Sequence, residues 1–175
     1  MDSAVATATR RPKLSAPPLR RRLACLIYDG LILLGVALFT AALVVFVLHA
    51  FGVEHNPRLL RPVMQWAEFG VLTAYGTWFW SANRQTLPMK TWRIRVVTTA
   101  GGPLSPGRAL WRALLSWLWI LPALALSAAL QFSPRNTGLL LCVGLLLWAA
   151  SSLLRKDRQF LHDTLAGTRL ISTES

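Results

Sequence analysis

Four long apolar stretches, separated by short polar segments, limit what this 175-residue chain can fold into. They cover about residues 23–48, 63–82, 108–130 and 137–154. A helix of about 20 apolar residues crosses the hydrocarbon core of a bilayer, and the 54% hydrophobic content exceeds that of ordinary soluble domains. The pattern predicts an all-α membrane protein with four transmembrane helices and the lipid bilayer as a partner. Pro122 predicts a kink in the third helix.

The basic residues indicate how these helices are oriented. Of the 19 lysines and arginines, 16 lie in the N-terminal segment, in the central loop up to Arg112 and in the C-terminal tail. Because Lys and Arg are enriched in cytoplasmic loops, both termini and the central loop are predicted to be cytosolic. Residues 1–18 are polar and end in two prolines, which predicts a mobile cytosolic tail. The membrane domain then covers residues 19–172.

The central loop and the C-terminal tail each contain a segment typical of a short β-strand. Between residues 92 and 97 apolar residues alternate with arginines, and residues 168–171 follow the helix breaker Gly167. Two strands alone are marginally stable, so the helix bundle must support them. We therefore predict a small cytosolic cap that consists of two strands and a helix ending near Gly167.

Charged residues within the apolar stretches are expensive in a membrane and need partners. Arg22 and Asp29 are seven residues apart, so they share a helix face but lie about 10 Å apart along the axis and cannot pair directly. Charges can pair when they lie at the same depth in the membrane. Arg22 and Asp163 are both expected at the cytosolic edge, so this depth matching predicts that they pair with each other. It also predicts that Asp29 pairs with Arg112, which lies one turn inside the third helix.

Asp29 is open to three interpretations. Leaving it unpaired would cost at least ~2.5 kcal/mol, which favours a structural ion pair with Arg112 that fixes helix packing. Alternatively, it is a protonatable or cation-coordinating carboxylate, or it faces a solvated cytosolic vestibule. Glu68 lies in the second helix, and its depth in the membrane differs from that of Asp29 by about 12 Å. If Asp29 binds protons or cations, Glu68 could form a relay of carboxylates with it. A structural or interfacial role is the simpler interpretation of Glu68.

Several function classes lack their sequence signatures. The chain contains no Gly-rich phosphate loop, nucleophile elbow or zinc-ligand spacing, so we expect neither an enzyme nor a cofactor. His162 and Asp163 are adjacent on a helix and point in different directions, which argues against a metal site. The net charge of +12 arises from loops between apolar stretches, so nucleic acid is not an expected partner.

Three segments resemble the RDD family of small bacterial multi-pass membrane proteins. They read RLACLIYDGLILL, QTLPMKTWRIRVV with GGPLSPGRALWR, and RQFLHDTLAGTRLI, and together they cover about residues 19–171. The family is named for one arginine and two aspartates, and the resemblance assigns these positions to Arg22, Asp29 and Asp163. It implies a protein of the bacterial plasma (inner) membrane and transport of an unspecified ligand, with cation/proton exchange as one form.

Two functional hypotheses follow. In the first, the protein is a transporter or cation/proton exchanger in which Asp29 binds the proton or cation. Arg112 or Arg22 then modulates the binding properties of the Asp29 carboxylate. Four helices enclose only a narrow pathway, so a homo-oligomer is the expected working unit. In the second, the protein is a non-transporting scaffold or accessory subunit that binds other membrane proteins or anionic lipid.

Overall fold

Four helical segments follow the four apolar stretches of the chain. The computed structural model describes residues 16–53, 57–152 and 159–173, so most of the predicted mobile tail, residues 1–18, lies outside the described residues. The elements in chain order are α1 (Leu19–Ala50), α2 (Pro57–Trp80), α3 (Leu87–Thr91), β1 (Ile94–Thr98), α4 (Pro106–Ser116), α5 (Leu121–Ala129), α6 (Pro134–Ser151), α7 (Leu161–Leu165) and β2 (Thr168–Ser172).

Two of the helical segments are long and apolar enough to cross a membrane. They are α1 and the continuous stretch Pro106–Ala129, which includes α4 and α5. The helices α2 and α6 coincide closely with the second and fourth predicted stretches. The helical positions are therefore as predicted, whereas the four membrane crossings and the cytosolic side of the termini stay predictions.

The third helical segment is interrupted before Pro122, as the sequence predicts. The helix α4 ends at Ser116, a single 3₁₀ turn covers Trp117–Trp119, and α5 begins at Leu121. Proline has no backbone N–H and its ring clashes with the carbonyl four residues earlier, which disfavours a regular α-helix through Pro122. A 3₁₀ turn is a common way to accommodate such a break.

Three helices begin in the same way, with a side-chain cap and a proline. Thr86, Ser105 and Ser133 precede α3, α4 and α6, and each hydroxyl accepts a hydrogen bond from the backbone N–H three residues later. A proline follows at the first or second helical position, where its fixed φ suits the helix and its missing N–H is not needed. These local signals set where each helix starts.

The two predicted strands pair into an antiparallel sheet. The register runs from Ile94 opposite Ser172 to Thr98 opposite Thr168. Alternate residues Ile94, Val96 and Leu170 are buried on one face, as the apolar alternation predicts. We define the cap as α3, β1, α7 and β2, and the end of the helices beside it as the cap end.

Two glutamines bind the outer edges of this sheet. The amide of Gln85 donates to the Ile94 carbonyl at 2.7 Å. Gln159 both accepts from the Leu170 N–H at 2.9 Å and donates to the Leu170 carbonyl at 3.2 Å. Edge residues of a two-stranded sheet have backbone groups that the partner strand does not reach. The side-chain amides therefore take the place of a third and fourth strand.

The apolar core lies between the cap and the cap end rather than along the bundle. Its buried members come from both the long helices and the cap: Cys25, Met89, Ile94, Val96, Leu104, Ala109, Phe160 and Leu170. Along the helices, by contrast, large apolar side chains such as Leu38, Phe39 and Phe46 are exposed. Apolar surface of that extent is covered by lipid or by another protein, which agrees with the composition of α1.

The double hydrogen bond of Gln159 is predicted to stabilise the cap. Replacing this buried residue (Gln159→Ala) leaves the donor and the acceptor of Leu170 unpaired inside the protein, so we expect the free energy of unfolding to fall by about 2 kcal/mol or more. Tryptophan fluorescence during denaturant unfolding in mixed micelles measures it. The exposed Gln65→Ala is the control and should change stability by less than about 0.5 kcal/mol. Equal losses in both variants would contradict the role of Gln159.

Candidate functional site

The charged residues singled out from the sequence converge at the cap end. Arg22 lies in the first turn of α1, and Asp29 lies two turns further along. Arg112 is two turns into α4, and Asp163 is in the middle of α7. Of these four side chains, Arg22, Arg112 and Asp163 are buried, whereas Asp29 is half-buried.

Arg112 and Asp163 form a buried ion pair. Nε of the arginine donates to Oδ1 of the carboxylate at 2.8 Å, and Nη2 approaches the same oxygen at 2.7 Å. The guanidinium carbon also lies 4.0 Å from the centre of the Trp80 ring, a cation–π contact. The pair joins α4 to the C-terminal part of the cap, which is far away in sequence.

This pairing corrects the assignment that depth matching predicts. Asp163 is bound by Arg112, and the guanidinium of Arg22 lies instead over the Phe160 ring, 5.1 Å from its centre. The prediction treated the residues after the fourth helix as lying at the membrane edge. In the structure α7 and β2 pack against α4 and β1, which places Asp163 beside Arg112.

The turn after α7 orients Asp163 toward the bundle. Gly167 has φ +64°, a conformation that residues with a Cβ rarely adopt, and it reverses the chain between α7 and β2. Thr168, the next residue, donates its hydroxyl to the Asp163 backbone carbonyl at 3.1 Å and lies 3.4 Å from Oδ1. The local sequence therefore helps to hold the carboxylate in place for the arginine.

His162 is stacked against two aromatic rings beside the ion pair. Its ring is nearly parallel to those of Trp148 and Phe160, at centroid distances of 5.9 and 5.7 Å. Burial, reinforced by the Arg112 charge and opposed by Asp163, lowers the pKa of His162 to about 4. The imidazole is therefore neutral at pH 7, and its Nε2, 3.3 Å from Nη2 of Arg112, accepts from the guanidinium.

Asp163 itself is ionised. Burial alone would raise the pKa of its carboxyl group, but the Arg112 guanidinium, aided by His162 and by hydrogen bonds from Arg112 and Thr168, holds the pKa below its ordinary value. A fully buried carboxylate persists only when such a cation compensates it. The contact with Arg112 is thus a true ion pair at neutral pH.

Asp29 has a different environment. Its Oδ1 accepts from the Tyr75 hydroxyl at 3.3 Å, and its Oδ2 accepts from the Thr86 hydroxyl at 3.0 Å and, weakly, from the Cys25 thiol at 3.9 Å. No arginine or lysine forms an ion pair with it in the described part of the chain, residues 16–53, 57–152 and 159–173. The predicted ion pair between Asp29 and Arg112 is therefore replaced by three neutral donors.

These three neighbours were missed by sequence reasoning. Tyr75 lies on α2, two helical turns after Glu68, and side-chain spacing on one helix does not reveal contacts with another helix. Thr86 is recognisable from the sequence as the cap of α3, and it uses the same oxygen to accept from the Met89 N–H and to donate to Asp29. The Asp29 carboxylate consequently connects α1 to both α2 and the cap.

Glu68 stands apart from this site. It is half-buried on α2, and its Oε2 has no hydrogen-bond partner within the described residues. Across the same residues no hydrogen bond or ion pair links it to Asp29, so the relay stays a prediction. Nor does any group of three His, Cys, Asp or Glu side chains in the described ranges come close enough to hold a metal ion.

Comparison with known protein families identifies the family of this chain. The sequence pattern of the RDD family matches residues 16–167, which include the long helices, Arg22, Asp29, Arg112 and Asp163. Comparison with curated proteins and with solved structures gives no match.

A double-mutant cycle tests the Arg112–Asp163 pair. Arg112→Met leaves a buried anion alone and Asp163→Leu leaves a buried cation alone, so each should lower the free energy of unfolding by about 3–5 kcal/mol. The double variant removes both charges and should lose less than the sum of the two. Unfolding in mixed micelles measures all three. A second cycle that combines Arg112→Met with Asp29→Asn is the control. A larger coupling energy in this cycle than in the first would favour the pairing of Arg112 with Asp29 that the sequence predicts.

The low pKa of His162 makes stability depend on pH. The unfolded chain binds a proton at this residue near pH 6.5, whereas the folded protein does so only near pH 4. The free energy of unfolding should therefore be constant above pH 6.5 for this group and fall as pH decreases from 6.5 to 4, by at most about 1.4 kcal/mol per pH unit.

His162→Gln should remove most of that slope, which thermal unfolding at a series of pH values would measure. The exposed His49→Gln is the matched control and should keep it. Asp163 does not interfere, because its contribution is lost only below pH 3.8, where an ordinary aspartate titrates. An unchanged slope in His162→Gln would show that another group is responsible.

Proposed function

Since the chain belongs to the RDD family of membrane proteins, we propose that it is a small transporter that exchanges protons for monovalent cations. The Asp29 carboxylate is the group that binds either of them. This assignment takes the first of the two functional hypotheses and removes Arg112 from the binding site.

The contrast between the two motif aspartates carries the proposal. Asp163 is fully buried and its charge is compensated by Arg112. Asp29 is half-buried in an apolar helix and is held by hydroxyl and thiol groups, none of which is charged. A carboxylate without a fixed counter-charge gains from binding a proton or a cation, whereas a compensated one does not. The two aspartates therefore serve different purposes.

The neighbours of Asp29 suit an exchange reaction. A hydroxyl group can donate a hydrogen bond or rotate to present its oxygen. Tyr75 and Thr86 can thus donate to the bare carboxylate or offer oxygen atoms to a cation that displaces the proton. Because both ligands need the same carboxylate oxygens, their binding is mutually exclusive, which is the requirement for exchange at one site.

Thr86 gives this site a connection to the cap. When Asp29 is ionised, its Oδ2 accepts from Thr86, and the Thr86 oxygen caps α3 immediately before β1. A proton or cation on Oδ2 removes that acceptor. Occupancy of Asp29 would then weaken the link between α1 and the cap, so that binding and a change at the cap end are coupled.

A second candidate function is that of a scaffold or accessory subunit. It is favoured by the exposed apolar surface of α1, of which only Arg22, Cys25 and Thr40 are buried. A second copy of the chain or another membrane protein could cover that surface. In this case the contacts of Asp29 would serve only to hold α1 against the cap.

Proton flux in liposomes distinguishes the two candidates. The protein is reconstituted into vesicles with an imposed pH gradient. Addition of Na⁺, K⁺ or Li⁺ outside should cause protons to leave the vesicles, and a pH-sensitive dye inside them measures the rate. Asp29→Asn should abolish the flux while leaving the thermal midpoint within a few degrees of wild type. Thr86→Val should reduce it by about tenfold or more, since it removes one oxygen of the site and the link to the cap.

Glu68→Gln is the matched exchange of a carboxylate for an amide. Retained flux in this variant assigns the reaction to Asp29 alone, and loss of flux in both variants supports the carboxylate relay. If wild-type protein moves no protons with any of the three cations, the exchanger is wrong and the scaffold is favoured. Full flux in Asp29→Asn would place the binding site elsewhere.

A further inference from the structure

The exposed charge of the described residues has a single sign. All three described carboxylates, those of Asp29, Glu68 and Asp163, are buried or half-buried. The exposed charged side chains are arginines and lysine throughout the described ranges. Four of them lie around the cap end, and we call them the basic rim: Arg20, Arg84, Lys90 and Arg108.

The basic rim follows the boundary between the apolar helices and the cap. Arg20 is in the first turn of α1, Arg84 follows the end of α2, Lys90 is in α3, and Arg108 is in the first turn of α4. Three of these residues therefore lie where a long helix meets the cap, and Lys90 lies in the cap helix that packs against α1. In a membrane this is the level of the lipid headgroups.

Two hydrogen bonds, one between backbone groups and one from a side chain, bring members of the rim into the same neighbourhood. The Ala82 N–H donates to the Leu104 carbonyl at 3.0 Å, which joins the end of α2 to the start of α4 and thus the surroundings of Arg84 and Arg108. On the other side, the Arg21 guanidinium donates to the Trp92 carbonyl. This contact places the start of α1, with Arg20, beside the end of α3.

No carboxylate compensates these charges within the part of the chain that the structure describes. Arg84 is held in place by other contacts: Nη1 donates to the Ser81 hydroxyl at 3.0 Å and to the Trp78 carbonyl at 3.3 Å, and its guanidinium carbon lies 3.9 Å from the centre of the Trp78 ring. These contacts use one of its three nitrogens as a donor. The other two are left for an external acceptor.

Exposed apolar groups accompany the basic rim. Trp78, against which Arg84 packs, is 59% exposed, and Leu87, beside Lys90 in α3, is 68% exposed. Trp111 is exposed one turn after Arg108. Tryptophan is enriched at membrane–water interfaces and basic residues attract anionic headgroups there. A soluble acidic partner would account for the charges but not for the leucine and the tryptophans beside them.

We propose that the basic rim binds the phosphate groups of anionic phospholipids, while the adjacent exposed rings and Leu87 insert at the level of the glycerol backbone. The proposal does not depend on transport. It rests on uncompensated charge, on position at the ends of the apolar helices and on amphipathic neighbours.

Quenching of tryptophan fluorescence by brominated lipids tests this directly, because Trp78 and Trp111 lie next to the rim. The full-length protein is reconstituted in phosphatidylcholine bilayers that contain either brominated phosphatidylglycerol or brominated phosphatidylcholine. The ratio of the two quenching efficiencies gives the relative affinity for the anionic lipid. We expect wild-type protein to prefer phosphatidylglycerol and the preference to decrease at high salt.

The variant Arg84→Gln/Arg108→Gln should lower that ratio by about thirtyfold, because each of the two arginines contributes about 1 kcal/mol of headgroup attraction. The matched control Arg61→Gln/Arg135→Gln removes two exposed charges at the opposite ends of α2 and α6 and should leave the ratio unchanged. An equal decrease in both variants would indicate a general effect of net charge and overturn the proposal. So would the absence of any preference in wild-type protein.

Discussion

The buried pair of Arg112 and Asp163 is the interaction on which the rest of the cap end depends. Both side chains are almost completely removed from solvent, and neither charge could stay there without the other. The pair ties α4 to α7, and β2 follows directly and completes the sheet with β1. Trp80 and His162 pack around the guanidinium, so the aromatic surroundings are organised by it as well.

Once Arg112 is committed to Asp163, Asp29 has to rely on neutral donors. Tyr75 and Thr86 satisfy its oxygens without cancelling its charge. The two motif aspartates thus differ in their partners: among the described residues, Asp163 forms an ion pair and Asp29 does not. Asp163 is locked into an ion pair with Arg112, whereas Asp29 is held by neutral donors. This difference is the physical basis of the proposed exchange at Asp29.

Much of the fold could be predicted because its signals are local. Apolar length locates the helices, Ser or Thr followed by proline marks where three of them begin, and alternation identifies the strands. The interruption before Pro122 likewise has a local cause, the missing N–H and the ring of the proline. The polar contacts could not be predicted in the same way. Depth matching assumed that residues after the last helix lie at the membrane edge, whereas the packing of α7 against α4 brings Asp163 to Arg112.

The sequence by itself therefore determines the helices, their interruption, the pairing strands and the set of charged residues that need partners. Only the tertiary structure decides which partner each charge obtains. An ion pair forms between residues 51 positions apart, and its formation depends on how a short helix and strand fold back. The preference of an arginine for a carboxylate is the same for Asp29 and Asp163, so packing alone makes the choice between them.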